Sequence, residues 1–371
     1  MAGFKRSSAR RSVTGLDIEP GGIRAVEVSV MPGGPVVVER AAEAPLAPGV
    51  IRDGEVFDPP ALTAALKELF THHKLDKRVR LGVANQRVVV RTLLLPPISD
   101  AKQLATAVRF QAADEIPMPL DQAVLDHAPL GIVETEEGPR MRVLVVAARR
   151  DMVEKLLAAV RDAGLKPEGI DLSAFAMIRS LSARQEAPVL HLAVGGTVNL
   201  AVSRGGECLF TRVLAGGFEA MAIDVAERTQ VPVDDARAAL TRVGVPQPKA
   251  AKPAEIVPDG ELDLAMLATA PREPEPEATD AVEAAAGRAI DDALRRIAGE
   301  VRTTLDFHLR SDEPVEHVLL TGPGATVPGF ADALSAQLGL TVELAGVPVP
   351  DGLEPTRYAV AAGLAVEEMA A

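Results

Sequence analysis

The stretch HLAVGGTVNLAVSRGG, His191 to Gly206, reads as an apolar strand, a glycine turn, a second apolar strand and another glycine turn. A hairpin of this kind presents backbone N–H groups at its tip with no Cβ in the way, so it can grip an anion such as phosphate. The position before such glycines usually carries an acid, and here it is Ala193. One glycine turn is weak evidence, because any tight hairpin favours glycine. This chain has three: Gly21-Gly22, Gly195-Gly196 and Gly322-Pro323-Gly324. Gly216-Gly217 adds a helix start, where free N–H groups and the helix dipole favour phosphate. As a set they point to a nucleotide-type cleft far more strongly than any one does.

The 371 residues are more than one core usually holds, so two domains or a bilobed body are expected. Aromatic residues make up 3% of the chain, with no Trp, which argues against base-stacking platforms. A formal charge of −13 argues against a nucleic-acid footprint. Cys208 is the lone cysteine, so a disulfide framework and a thiolate metal cluster are excluded, and it reads as a small buried core residue. No apolar run approaches the roughly 20 residues of a membrane helix. The tail MAGFKRSSARRS lacks the apolar segment of a signal peptide. Its Lys5, Arg6, Arg10 and Arg11 could meet anionic lipid, although a solvated tail is the simpler reading.

The chain repeats itself. GLDIEPGGIRAVEV and LAVGGTVNLAV share a strand, a glycine turn and a strand, each followed later by helices. Two similar lobes around a cleft follow from that. Asp58-Pro59 predicts an N-cap and a proline in the first helical turn, with Leu62, Leu66, Leu69 and Phe70 inward. RVVVRTLLLP starts a unit of different character. It runs strand, helix capped by Ser99 or Asp100, two strands, and a helix closed by Gly164, which predicts an inserted α+β unit. Gly216-Gly217 opens a helix with Phe218, Met221, Ala222 and Val225 inward. A short helix covers about Asp234 to Arg242. Between Pro246 and Glu283 there are nine acids against three bases, and prolines are dense, so this segment reads as a disordered acidic loop with LDLAMLATA as a short helix inside it. A long helix from about Thr279 to Arg310 and a closing helix around Tyr358 to Glu368 complete the pattern.

These features together resemble the actin-like (ribonuclease H-like) superfamily of heat-shock ATPases, sugar kinases and FtsA. GLDIEPGGIRAVEV resembles its first phosphate hairpin, HLAVGGTVNLAV the second, and LLTGPGATVPGF the adenosine turn. The segment RTLLLPPISDAKQLATAVRFQAADEIPMPLDQAVLDHAPL, with FTRVLAGGFEAMAIDVA and EVRTTLDFHL, is similar to the PilM family of type IV pilus assembly. The resemblance covers about Val13 to Glu368. It implies an α/β, two-lobed fold with an FtsA/PilM-type α+β insertion. The expected division is a basic tail at 1–12, a first lobe at 13–85 and 166–187, and an insertion at 86–165. The second lobe spans 188–345 with its acidic loop at 245–278, and 346–371 returns to the first lobe.

The resemblance also implies roles. Asp17 would hold Mg through water. Gly21, Gly22 and Arg24 would lie near the β-phosphate, Arg24 standing where the family often has Lys. Gly195, Gly196, Thr197 and Asn199 would contact the outer phosphates of ATP, with Gly216 and Gly217 beside them. Glu300 would face the ribose or base, and Gly322, Gly324 and Ala325 the adenosine. Two departures weaken catalysis: Ala193 replaces an acid, and Glu19 replaces the usual glycine after Asp17-Ile18. A carboxylate beside phosphates repels them unless it turns away or a metal intervenes, and phosphoryl transfer needs a positioned metal and nucleophile. His72-His73 reads as solvated and Asp114-Glu115 as a helix end. The implied function is a scaffold at the cytoplasmic face of the inner membrane. It would bind the N-terminal peptide of a PilN-like membrane protein in a groove between the first lobe and the insertion, and would join pilus platform and motor components. Self-association stays open. The alternative is an ATP-hydrolysing actin-like protein of a division or secretion platform, which predicts an acid at position 193 and a glycine at 19.

Overall fold

The computed structural model describes residues 13–30, 36–181, 187–246, 278–308 and 314–366. The basic tail, the acidic loop with LDLAMLATA, and Glu368 lie outside the described residues. In chain order, β1 (Thr14–Glu19), β2 (Gly22–Val30) and β3 (Val36–Pro45) lead to a small hairpin, β4 (Ile51–Arg52) and β5 (Glu55–Val56). Then come α1 (Pro59–His73) and β6 (Arg78–Val83). The insertion follows as β7 (Val89–Leu95), α2 (Ala101–Glu115), β8 (Ala123–Thr135) and β9 (Gly138–Arg149). The first lobe resumes with α3 (Arg150–Asp162), β10 (Lys166–Leu172) and α4 (Ser173–Leu181).

The second lobe is built from β11 (Val189–Val194), β12 (Val198–Arg204), β13 (Glu207–Leu214), α5 (Phe218–Thr229), α6 (Val233–Val243) and α7 (Ala278–His308). It continues with β14 (His317–Thr321), α8 (Phe330–Leu338) and β15 (Thr341–Leu344), and the described chain ends on α9 (Ala359–Ala365).

The internal repeat is visible in the sheets. The first has the order β10-β6-β1-β2-β3 and the second β13-β12-β11-β14-β15. Read from the far edge, the second becomes β15-β14-β11-β12-β13. Each lobe therefore has an antiparallel hairpin triplet extended by two parallel strands. Each glycine turn closes the first hairpin of its lobe.

Local signals act as expected in several places. The Asp58 carboxylate accepts from the Ala61 N–H at 3.0 Å, and Asp100 accepts from Gln103 N–H at 2.8 Å, so Asp100 is the cap. Gly164 takes positive φ immediately after Ala163, the C-cap of α3. Leu62, Leu66, Leu69 and Phe70 of α1 are buried, as are Ile290, Leu294, Ile297 and Val301 of α7.

Three expectations change. Chain order groups α3 with the insertion, but Met152, Val153, Leu156 and Val160 pack with Leu62, Leu66 and Leu81 in the first-lobe core. The insertion keeps its own small core of Leu93, Leu95, Leu104, Val108, Val143 and Val145, so it is a three-stranded sheet with one helix. The closing helix is shorter than its apolar run, because Val366 turns extended after Ala365. Cys208 is half-buried at the edge of a small cluster rather than in a core. Burial still pushes its thiol up to about 12.

The lobes meet along α4 and α9, which pack on each other. The seam is made of small residues: Ala174 and Ala176 on α4, and Ala361, Ala362, Gly363 and Ala365 on α9. A Cβ on Gly363 would overlap the Ala176 carbonyl, and one on Gly15 the Ala361 carbonyl. This seam sets the two hairpin tips facing each other.

Candidate functional site

The first tip ends β1 with Asp17-Ile18-Glu19-Pro20 and turns at Gly21, whose φ of 88° suits glycine. The second runs from Val194 through Gly195-Gly196-Thr197 into β12. Backbone strain does not explain Gly195 and Gly196. The reason is the close approach of the opposite lobe. A Cβ on Gly195 would overlap the Glu19 carboxylate, and one on Gly196 the Pro20 carbonyl.

Glu19, the departure from the expected glycine, spans the cleft. Its Oε2 accepts from the Gly196 N–H at 2.7 Å, across 177 positions of sequence. Its Oε1 accepts from the Arg24 guanidinium, which also lies 3.5 Å from Asp17 Oδ2 and 3.7 Å from Glu43 Oε1. Arg357, in the segment that returns to the first lobe, also pairs with Glu43. Burial opposes the charge of Arg24, but Glu19, Asp17 and Glu43 more than offset it and hold the pKa above its ordinary value. Burial, then the neighbouring Glu19 charge, push the Asp17 carboxyl up to about 7 against the pull of Arg24.

The opposite contact comes from the second lobe. Glu219 lies in the first turn of α5, buried, and a Cβ on Gly21 would overlap its carboxylate. Arg237 of α6 holds Glu219 with two hydrogen bonds, at 2.9 and 2.5 Å. Sequence reasoning missed Glu219. Its signal was an acid two residues after Gly216-Gly217, in a turn expected to meet phosphate.

The space left at the tips is about 30 Å3, lined by Asp17, Glu19, Pro20, Ala193, Thr197 and Asn199 among others. That is room for about one water molecule. Ala193 lies there with no carboxyl, and no group of three Asp, Glu, His or Cys side chains forms a metal cage among the described residues. The N–H that a phosphate oxygen would need is already donated to Glu19. In this arrangement the residues do not fit a nucleotide phosphate chain.

Gly216 and Gly217 do open α5 beside the second tip, and Gly217 packs against the Gly195 and Thr197 carbonyls. Gly324 and Ala325 lie in a one-turn 3-10 helix (Pro323–Thr326) that Gly322 precedes as its N-cap, and both glycines pack on Val194. Gly322 N–H donates to the Thr356 carbonyl at 2.8 Å. Glu300 pairs with Arg212 of β13 at 3.2 Å and, with Asn199, lines a second, larger cavity of about 490 Å3.

The larger cavity lies where β6 passes into the insertion. Val83, Val88, Val90 and Leu172 wall it from the first-lobe side, and Thr211 to Ala215 and Arg296 from the second lobe. Arg296 donates to the carbonyls of Ala215 and Gly216, and burial lowers its pKa. Asn199 touches both cavities, and its Oδ1 is buried with no hydrogen-bond partner.

Residues 15–250 match the family model described as type IV pilus assembly protein PilM. The chain belongs to the PilM family. A solved PilM-PilN type IV pilus biogenesis complex is 27% identical, covers 96% of this chain and 98% of that one, and superposes with a TM-score of 0.73. The ethanolamine utilization protein EutJ of Carboxydothermus hydrogenoformans superposes at 0.52 with 16% identity, over 96% of this chain and 90% of that one. MreB5 of Spiroplasma citri, bound to ADP, gives 0.53 with 12% identity, over 95% and 94%. The last two share the fold, which is the actin-like one expected. No helix among the described residues is long and apolar enough to cross a membrane.

Proposed function

We propose that this PilM-family chain is a scaffold of the pilus platform that holds the N-terminal peptide of a PilN-like membrane protein in the 490 Å3 cavity. The cavity carries this reading. Its volume lies within the roughly 300–1,000 Å3 of ligand pockets, and its walls mix apolar Val83, Val88, Val90 and Leu172 with polar Asn85, Gln86, Asn199, Arg212, Arg296 and Glu300. β13 is the edge strand of its sheet, and Thr211 to Ala215 face the cavity, so an extended peptide could add to that edge. Val90 continues onto the insertion face opposite α2, where Leu144 and Val146 are half-buried and Leu94 is 54% exposed. Holding such a peptide would place the chain at the inner face of the membrane, peripherally, next to motor components.

The second half of the reading is that nucleotide turnover at the glycine tips is absent or very slow. Ala193 supplies no acid, Asp17 is engaged by Arg24, and Glu19 occupies the turn that would hold a phosphate. The test is calorimetric titration with a synthetic PilN-like N-terminal peptide. Wild type binds it. Val90→Asp, which puts an unpaired charge beside Val83, Val88 and Leu172, weakens binding at least about tenfold, equal to about 1.4 kcal/mol, with an unchanged melting temperature. Equal affinity in the two proteins would place the peptide elsewhere.

A further inference from the structure

The two glycine tips exchange carboxylates. Glu19 of the first lobe sits on Gly195-Gly196 of the second, and Glu219 of the second sits on Gly21 of the first. Each carboxylate is neutralised by an arginine of its own lobe, Arg24 for Glu19 and Arg237 for Glu219. A carboxylate is an acceptor-only anion with two oxygens, so a glycine turn receives it much as it receives a phosphate. We infer that the cleft is its own ligand: Glu19 takes the anion position at Gly195-Gly196, Glu219 packs its carboxylate against Gly21, and together they hold the lobes closed without nucleotide.

Three further observations agree. The remaining volume is that of one water. The Gly196 N–H is satisfied by protein, so this backbone donor does not wait for a ligand, while Arg24 Nε, buried without a hydrogen-bond partner, lies 3.7 Å from Glu43 Oε1. Arg24 is enclosed by Asp17, Glu19 and Glu43, so an added phosphate would meet carboxylates as well as the cation. Nucleotide can reach the tips only when Glu19 leaves. The inference rests on the slow-turnover half of the proposed function and is independent of the peptide half.

Amide exchange at Gly196 and calorimetry with Mg-ADP, on the full chain, test it. In wild type without nucleotide, the Gly196 amide is protected and Mg-ADP binding is undetectable at millimolar concentration. In Glu19→Gly the amide exchanges at least about tenfold faster, as expected on losing a charge-assisted hydrogen bond, and Mg-ADP binding appears. Glu19→Gln keeps the shape and removes the charge, so it gives the same direction with smaller size and guards against misfolding of the glycine variant. Two results would overturn the inference: Gly196 exchange that neither substitution changes, or wild type binding Mg-ADP as tightly as Glu19→Gly. Peptide affinity measured on the same samples keeps the two readings separate, because it stays at the wild-type level in both variants if only the clasp is affected.

Discussion

The two cavities share Asn199 as a wall and differ in almost everything else. The one at the glycine tips is about 30 Å3 and is crowded with Asp17, Glu19 and Arg24. The one at the root of the insertion is about 490 Å3 and is walled by valines, leucines, the edge of β13 and the polar side chains of Asn85, Gln86, Arg212, Arg296 and Glu300. Sequence pattern pointed to the first, because glycine turns are conspicuous. Space lies in the second, which takes in Asn199 and Glu300 from the expected nucleotide set but none of the glycine turns. A glycine turn records that something approaches closely, and it does not say whether that is a ligand or another part of the chain.

The contrast breaks most directly at Gly196. Gly196→Ala forces a methyl into the Pro20 carbonyl, and overpacking of this kind costs roughly 1–3 kcal/mol. Urea denaturation is expected to show a loss at the upper end, because the obstacle is backbone from the opposite lobe. A change below about 0.5 kcal/mol, the size of an ordinary surface substitution, would show that the tips are not pressed together.

Acid separates the buried groups near the closed site. His191 on β11 is fully buried, its Nε2 is 2.8 Å from Ser203 Oγ, and burial lowers its pKa to about 4. The unfolded chain therefore takes the proton first, and stability falls as pH drops from about 6.5 towards 4. From pH 7 to 5 this amounts to about 2 kcal/mol. Asp17 acts in the opposite sense. Its folded pKa of about 7 exceeds the ordinary 3.8, so its protonated form is favoured by folding and its contribution is lost as pH rises between those values. Denaturation of His191→Leu beside wild type at both pH values isolates the first effect. The variant gains on wild type as pH falls, and a constant difference would refute the assignment. Asp17→Asn gains on wild type as pH rises.

Smaller effects lie at the open cavity. Arg212 and Glu300 are each about two-fifths exposed at its rim, with side chains at 43% and 40%. A double-mutant cycle on this pair should give a coupling below about 1 kcal/mol without peptide, the range of exposed pairs. A larger coupling would mean that the rim is shielded from solvent and the cavity is less accessible than its walls indicate.

Much of the frame was legible. The paired hairpins, the acidic caps of α1 and α2 and the buried stripe of α7 all follow local rules. β6 and β10 were not legible. RVRLGV carries Arg80, whose guanidinium reaches across to the carbonyls of Leu364 and Val366, so a charge sits in a sheet interior. KPEGIDL contains Pro and Gly, which demote a strand, and it is tolerated as the outermost strand of its sheet. α3 lies next to the insertion in sequence but packs with α1, and only tertiary packing could reveal that. For the site, the substitutions at 19 and 193 were visible, but the partner of Glu19 lies in the other lobe. The burial of Glu219 and its hold by Arg237 were equally out of reach.

The seam of α4 and α9 bears on how such a body can move. Glycine and alanine have no χ angle beyond Cβ, so these residues cannot accommodate motion by changing rotamer and lose no side-chain entropy when locked. The Gly363–Ala176 and Gly15–Ala361 contacts are too close for a methyl, and Arg179 of α4 donates to the Gly363 carbonyl at 3.0 Å across the seam. Motion of one helix along the other is then a shear that has to carry or break that hydrogen bond. Whatever loosens the tips is felt along the whole joint at once.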